Sequence, residues 1–278
     1  MQPPDKYACN IPGGRGSCRA AADIDGDSLG SAGASPSRNQ ETNVYGMEPS
    51  RPKDYDARRL QVIRDRWDRK AERWDADLAD EHFHLNADGA YRKFLEAADA
   101  IVAGRAEFCR RHTLVDLGCG TGLVLAHFLD HFAAGVGIDI SPRMLALAAR
   151  RQLPHAQFLA GNCFALARHV AGAGAVFSRG ILLSHYGRRW APPLFRQIRQ
   201  TLLPERGFAI LDFLNAAARD DYDSNPQNKT YFRADQVEKM ANQAGFRRVA
   251  ILGEPHRRTL LVFVERKKKG LRSLSCPT

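Results

Sequence analysis

Between residues 113 and 122 a short apolar run ends in an acid and passes into three alternating glycines: Val115-Asp116-Leu117-Gly118-Cys119-Gly120-Thr121-Gly122. A strand that hands over to a helix through such a segment has few folds open to it. Glycines let the backbone turn sharply and approach a ligand closely, and the helix N-terminus that follows favours negative charge. A dinucleotide-binding loop would read G-x-G-x-x-G, but Leu123 stands where its third glycine belongs. The spacing here is G-x-G-x-G after an acid, which suits a ligand carrying an ammonium group rather than a pyrophosphate.

The surrounding pattern places this loop in an α/β sheet. Strand candidates are 113–117, 134–138, 157–160, 174–178, 208–213, 247–252 and 259–265, with helical periodicity near 122–131, 142–151, 192–203 and 234–244. Such alternation predicts a doubly wound, seven-stranded, mostly parallel sheet with helices on both faces. Only Gly253–Arg258 separates the last two strands, too short for a helical crossover, so the last strand is expected to run antiparallel. Ahead of the sheet, residues 57–80 read as a helix with Leu60, Ile63, Trp67, Ala71 and Trp74 on one face. A second helix, about 87–102, carries Tyr91, Phe94, Leu95 and Ala98.

Composition removes several other classes. The chain has 278 residues, 44% of them hydrophobic and 26% charged, and no apolar run approaches the roughly 18 residues that cross a bilayer. Residues 1–53 are rich in Gly, Ser and Pro and read as a disordered extension, residues 54–265 as the folded domain (54–112 being its leading helices), and residues 266–278 as a basic flexible tail. Half of the +10 net charge sits in that tail, leaving 30 basic and 25 acidic side chains in 54–265. A basic tail can bind nucleic acid, but a solvated terminus is the commoner explanation. The six cysteines form no C-x-x-C pair, and Met1–Asp5 lacks the basic and apolar regions of a secretory leader, so a reduced, cytoplasmic setting is expected. His82-x-His84 and the pair His127/His131 have no clear third ligand, and no metal is expected.

The chain at this point resembles the class I S-adenosylmethionine-dependent methyltransferases, whose first motif has the form hh(D/E)hGxGxG and matches 114–122 throughout. Further matches follow in order: Asp139 in Gly137-Ile138-Asp139-Ile140-Ser141-Pro142, Gly161-Asn162-Cys163, Leu182-Leu183-Ser184-His185, and Leu202-Leu203-Pro204-Glu205-Arg206-Gly207. Trp67-Asp68-Arg69-Lys70-Ala71-Glu72-Arg73-Trp74-Asp75 looks like the family's leading aromatic-Asp repeat. The resemblance implies a Rossmann-like fold and S-adenosylmethionine as cofactor, with S-adenosylhomocysteine as product. It puts Asp116, Leu117, Gly118, Cys119, Gly120, Gly122, Asp139, Ile140, Asn162, Cys163 and Ser178 around that cofactor. Asp139, 21 residues after Gly118, would take the ribose hydroxyls, and Ser141 with Pro142 would cap the next helix. Asn162 stands where the family usually has an acid for the adenine amino group; as an alternative it is a turn residue.

The substrate half is less explicit. Methyl transfer from a sulfonium needs in-line placement more than an acid–base pair. His185 has the chemistry of a base at neutral pH, though a scaffold role is the expectation, and Tyr186 is pocket wall or hydrogen-bond donor. Trp74, Tyr91, Asn215 and Tyr231 are the candidate acceptor contacts, Trp67 and Trp74 being equally readable as packing residues. The long polar segment from Asn215 to Phe232, with Asn225 and Asn228, is the second candidate wall. Methylation of an O or N atom of a small molecule is the leading expectation, with no membrane partner. RNA methylation, or cofactor binding without turnover, are the alternatives.

Overall fold

The computed structural model describes residues 57–80, 89–180, 182–186, 188–218 and 229–266. Two helices lead: α1 (Ala57–Lys70) and, after a tightened turn at Ala71–Arg73, α2 (Trp74–Ala79). The periodicity of 57–80 predicts one helix, and the 3₁₀ turn breaks it where the chain re-aims Trp74. Then follow α3 (Ala90–Ala103), α4 (Ala106–Cys109), β1 (Thr113–Leu117), α5 (Leu123–Phe128), β2 (Ala134–Asp139) and α6 (Pro142–Ala149). The remainder is β3 (Ala156–Ala160), α7 (Leu166–His169), β4 (Ala175–Ser178), α8 (Leu182–His185), α9 (Ala191–Thr201), β5 (Phe208–Leu214), α10 (Ala234–Gln243), β6 (Arg248–Leu252) and β7 (Thr259–Glu265). The four-residue helices α4, α7 and α8 are too short to leave a periodic signal, and sequence reading misses them.

The seven strands lie in the order β3-β2-β1-β4-β5-β7-β6. All neighbouring pairs are parallel except those made by β7, which runs antiparallel to both β5 and β6. The crossover through α10 carries β6 two positions past β5, and the short Gly253–Arg258 return drops β7 into the gap. β4 and β5 are buried at every residue, as strands covered by helices on both faces must be.

Successive side chains of a strand point to opposite faces, and the two cores record it. Val115, Val176, Leu211 and Val262 pack with Phe195, Ile198 and Phe232 on one face. Their neighbours Leu114, Phe177, Ile210 and Phe263 pack with Phe94 and Phe128 on the other. Phe177 is the hub there, with edge-on rings of Phe128 at 5.0 Å and Phe94 at 6.3 Å.

The described residues fall within one compact unit, Pro49–Thr278. The expected extension 1–53 and most of the expected tail lie outside the described residues, as do His82, His84, Asn225 and Asn228. Arg266, first residue of that tail, belongs instead to the body: its N–H donates to Gly207 O at 2.8 Å and its guanidinium to Arg199 O and Leu202 O at 2.8 and 2.6 Å.

Candidate active site

Strand order reverses between β1 and β4: the chain leaves β1 for β2 and β3 on one side and returns to β4 on the other. Ligands of open α/β sheets bind outside the carboxyl ends of the strands at such a point. Here a cleft opens, floored by the glycine loop after β1 and walled by α1 and α2.

The loop is shaped by its glycines. Gly118 and Gly120 hold φ of +75° and +52°, the left-handed region that costs an L side chain strain. Over Gly120 lies the indole of Trp74, whose Nε1 is 3.3 Å from where a Cβ would stand, so a side chain there would meet the ring. Trp74 packs with Met144 and Leu78 and meets Trp67 edge-on at 5.1 Å. It therefore covers the glycine loop.

The aromatic-Asp repeat explains how α1 and α2 are fastened. Asp68 accepts from Ser141 Oγ at 2.5 Å and from Arg143 N at 3.2 Å, at the start of α6. Asp75 accepts from Thr121 Oγ1 and the Arg151 guanidinium, while Arg151 Nε donates to Thr121 O at 2.6 Å. Seven residues apart, the two acids sit on one side of the helices and tie them to the loops after β2 and β1.

Two buried acids face the cleft. Asp139 accepts from Gly120 N at 2.9 Å and Ser141 N at 2.8 Å, so it locks the glycine loop to the cap of α6. Ser141 in turn accepts from Met144 N at 3.1 Å, with Pro142 opening the helix as expected. Burial raises the Asp139 pKa, opposed by those backbone donors. Asp116 is only 1% exposed, and its Oδ2 has no hydrogen-bond partner among the described residues. Burial first, and the negative neighbour Asp139 second, push its pKa up to about 8. An orphaned carboxylate oxygen beside a cleft is open to a donor that no described residue supplies.

The cleft also holds Arg179, whose guanidinium stacks on the Tyr91 ring at 4.8 Å. Burial lowers the Arg179 pKa, against the pull of Asp212 and Tyr91. Burial likewise pushes the Tyr91 phenol up to about 12. His185 lines the cleft with its Nε2 3.1 Å from Gly180 O. A carbonyl only accepts, so Nε2 carries the proton and Nδ1 is left as an acceptor. Burial, reinforced by Lys229, lowers its pKa to about 4, and the ring is neutral at physiological pH.

Of the residues named from sequence, Asp116, Leu117, Gly118, Cys119, Gly120, Asp139, Ile140, Asn162, Cys163, His185, Tyr186, Trp74 and Tyr91 line this cleft. Four do not. Gly122 (φ +81°) caps α5, packed under Phe158. Ser178 is fully buried in β4. Asn215 donates to Pro255 O and Arg257 O at 2.7 and 2.9 Å, so its amide pins the β6–β7 loop. Tyr231 is buried beneath α2 with Leu214 and Met144. Polarity and position near a sheet edge do not distinguish a wall from a clamp. Asn162 Oδ1 accepts from Phe164 N at 3.0 Å, so it caps a turn and offers an adenine only its remaining lone pair. Tyr186 packs edge-on against Phe164 at 4.8 Å, its hydroxyl accepting from Cys163 Sγ. Sequence reading missed Arg66 and Arg179; a cation directly after a buried parallel strand was the available signal for the latter. Among the described residues no three His, Cys, Asp or Glu side chains gather as metal ligands, and no helix is long and apolar enough to cross a membrane.

Sheet order, glycine loop and cleft define a Rossmann-like fold of the methyltransferase type. Residues 114–205 match the family described as "Methyltransferase domain". Two curated relatives are similar. One is dTDP-3-amino-3,6-dideoxy-alpha-D-glucopyranose N,N-dimethyltransferase of Streptomyces fradiae, 36% identical over 30% of this chain and 33% of its own. The other is dTDP-3-amino-3,4,6-trideoxy-alpha-D-glucopyranose N,N-dimethyltransferase of Streptomyces venezuelae, 32% identical over 38% and 45%. The chain thus spans between a third and a half of the length of the curated relatives it matches. Among solved structures, magnesium protoporphyrin IX methyltransferase from Synechocystis PCC 6803 with bound SAM is 17% identical over 75% of this chain and 97% of that one, with a TM-score of 0.57. A DhpI–SAM–HEP complex is 18% identical over 74% and 96%, with a TM-score of 0.56. Residues 114–205 thus match a methyltransferase domain, and the fold is that of solved methyltransferase structures with bound SAM.

Proposed function

We propose that the protein transfers a methyl group from S-adenosylmethionine to a small-molecule acceptor, an amine being favoured. The observation that carries this reading is the orphaned Asp116 Oδ2 beside the glycine loop. It suits the α-ammonium of the cofactor's amino-acid portion. Arg179 lines the same cleft and supplies the opposite sign, suited to the carboxylate of that portion. Asp139 lines the cleft, and its carboxylate oxygens are acceptors suited to ribose hydroxyls. Gly118, Gly120 and Trp74 then enclose the methionine portion.

S-adenosylmethionine, when bound, supplies an activated methyl group; the chain must place the acceptor in line and exclude water. Trp67, Tyr186 and His185 are the walls suited to that work. A neutral amine needs no general base to attack, and His185, with a pKa near 4, is a poor proton sink at neutral pH. Its Nδ1 is suited to accept a hydrogen bond from the acceptor and orient it. The preference for an amine draws on the two curated relatives, whose names specify N,N-dimethylation of amino sugars.

The test has two parts. Calorimetry should give S-adenosylhomocysteine binding that Asp116→Asn weakens. Label from methyl-labelled cofactor, followed by mass spectrometry in fractionated extract, should appear in a small metabolite bearing a nitrogen. Absence of cofactor binding would sink the reading, and label found in RNA would replace it with the nucleic-acid alternative.

A further inference from the structure

Away from the cleft, at the amino ends of the strands, lies a second concave surface, and it is basic. Arg105, Arg110, Arg111 and Arg206 line this groove, with Glu107 the one acid among the described lining residues. It runs from α4 to the turn before β5, and His112 in its wall directly precedes β1. The glycine loop leaves the other end of β1, roughly 16 Å of strand away, so groove and cleft open at opposite edges of the sheet.

Two of the four guanidiniums are committed to the fold. Arg105 packs on the Phe208 and Phe263 rings at 5.2 and 5.0 Å and meets Glu265 at 3.7 Å. Arg111 pairs with Glu107 one turn back. Arg110 and Arg206 are exposed and pair with no acid among the described residues. Arg206 instead lays its guanidinium over the Phe108 ring at 5.6 Å. Phe108 in turn packs on the His112 ring at 4.3 Å with 34° between the planes, and His112 Nδ1 donates to Phe108 O at 2.7 Å. Both rings are half-buried in the groove wall.

The backbone is strained where it presents Arg206. Its φ is +66°, in the left-handed region that L side chains avoid. A turn that had only to reverse the chain would be served better by Gly or Asn at that position. Arg206 N donates to Arg266 O at 3.1 Å and Arg266 N to Gly207 O at 2.8 Å, so the end of β7 lies beside the groove. From there the sequence continues Lys267-Lys268-Lys269.

We infer that this groove binds single-stranded nucleic acid, with phosphates held by Arg110 and Arg206 and a base against the Phe108 and His112 rings. A basic groove with aromatic side chains in its wall is the arrangement that tracks a sugar–phosphate backbone while stacking bases. The guanidinium fork matches phosphate oxygens two at a time. A concave surface fits a flat bilayer poorly, and an acidic peptide would leave the rings unused. The groove faces away from the cleft, so the inference concerns a partner and not the methyl acceptor.

The experiment follows the fluorescence anisotropy of a labelled oligo(U) of about 12 nucleotides titrated with the full chain over a range of salt. Binding that weakens as salt rises is expected. Arg110→Gln and Arg206→Asn should each lower the slope of log affinity against log salt by about 0.7, which at roughly 0.1 M salt is about five-fold in affinity. Asn tolerates the left-handed backbone, so Arg206→Asn should hold or raise the melting temperature while binding falls, which separates the contact from the fold. Arg92→Gln, at an exposed site paired with Glu96, should bind oligo(U) as the wild type does. Equal affinity and slope in the wild type and both groove variants would overturn the inference, and any remaining binding would belong to the lysines of the tail. Displacement of oligo(U) by poly-L-glutamate at equal charge concentration would overturn it in favour of an acidic protein partner. Binding to phosphatidylserine vesicles without binding to oligo(U) would make the surface a membrane contact.

Discussion

Replacing Asp116 by Asn keeps the side chain's shape and removes its titration. In the free protein Asp116 holds its proton up to a pKa of about 8, because burial penalises the carboxylate and Asp139 repels it. In the unfolded chain the same group ionises near 4. A folded-state pKa above the unfolded one gives stability that is complete below the unfolded value and is lost as pH rises through the folded value. The window is therefore about pH 4 to 8, with a slope near 1.4 kcal/mol per pH unit. Between about pH 5.5 and 7.5 the wild type should lose about 2–3 kcal/mol that Asp116→Asn keeps. Urea unfolding of both proteins at the two pH values measures this, and the difference between them cancels the groups they share. Binding adds a second readout. A ligand ammonium pulls the proton from Asp116, so at about pH 7 cofactor binding should release close to one proton, seen as a buffer-dependent enthalpy that the variant lacks. Parallel pH slopes in the two proteins, or the same proton release, would refute the reasoning.

Asp139→Asn should weaken S-adenosylhomocysteine by roughly ten- to a hundred-fold and also lower the melting temperature, because Asp139 accepts from Gly120 N and Ser141 N. Unchanged affinity by calorimetry would remove Asp139 from the ribose. Asn215→Ala should cost about 1–3 kcal/mol by urea unfolding, from two carbonyls left unpaired, while turnover per folded molecule holds. Selective loss of turnover would return Asn215 to the acceptor pocket. His185 should show no imidazole titration by NMR between about pH 5.5 and 8, its pKa lying near 4. A midpoint in that range would restore it as a general base.

What the chain order alone determined here is what local chemistry and periodicity encode. The strands β1 to β7 are legible because each is an apolar run between turn signals, and the glycine loop because its spacing constrains the backbone wherever it occurs. The antiparallel β7 follows from a return too short to cross over. The position of β7 between β5 and β6 is different: it depends on how far α10 carries the chain, a length set by packing. Ser141 and Pro142 were readable as a cap because capping is a contact between near neighbours. Asp116, Asp139 and the aromatic-Asp repeat were equally visible as letters, but Asp139 bonds Gly120 19 residues back and Asp75 bonds Arg151 76 residues on. Only the tertiary structure shows that Asp68 and Asp75 are ties, that Asn215 is a clamp, and that Asp116 Oδ2 is left waiting. It also brings Arg66 from α1 and Arg179 after β4 into one cleft. Hydrogen-bond satisfaction and charge balance are properties of a buried volume, and a buried volume is assembled from segments that the sequence keeps far apart.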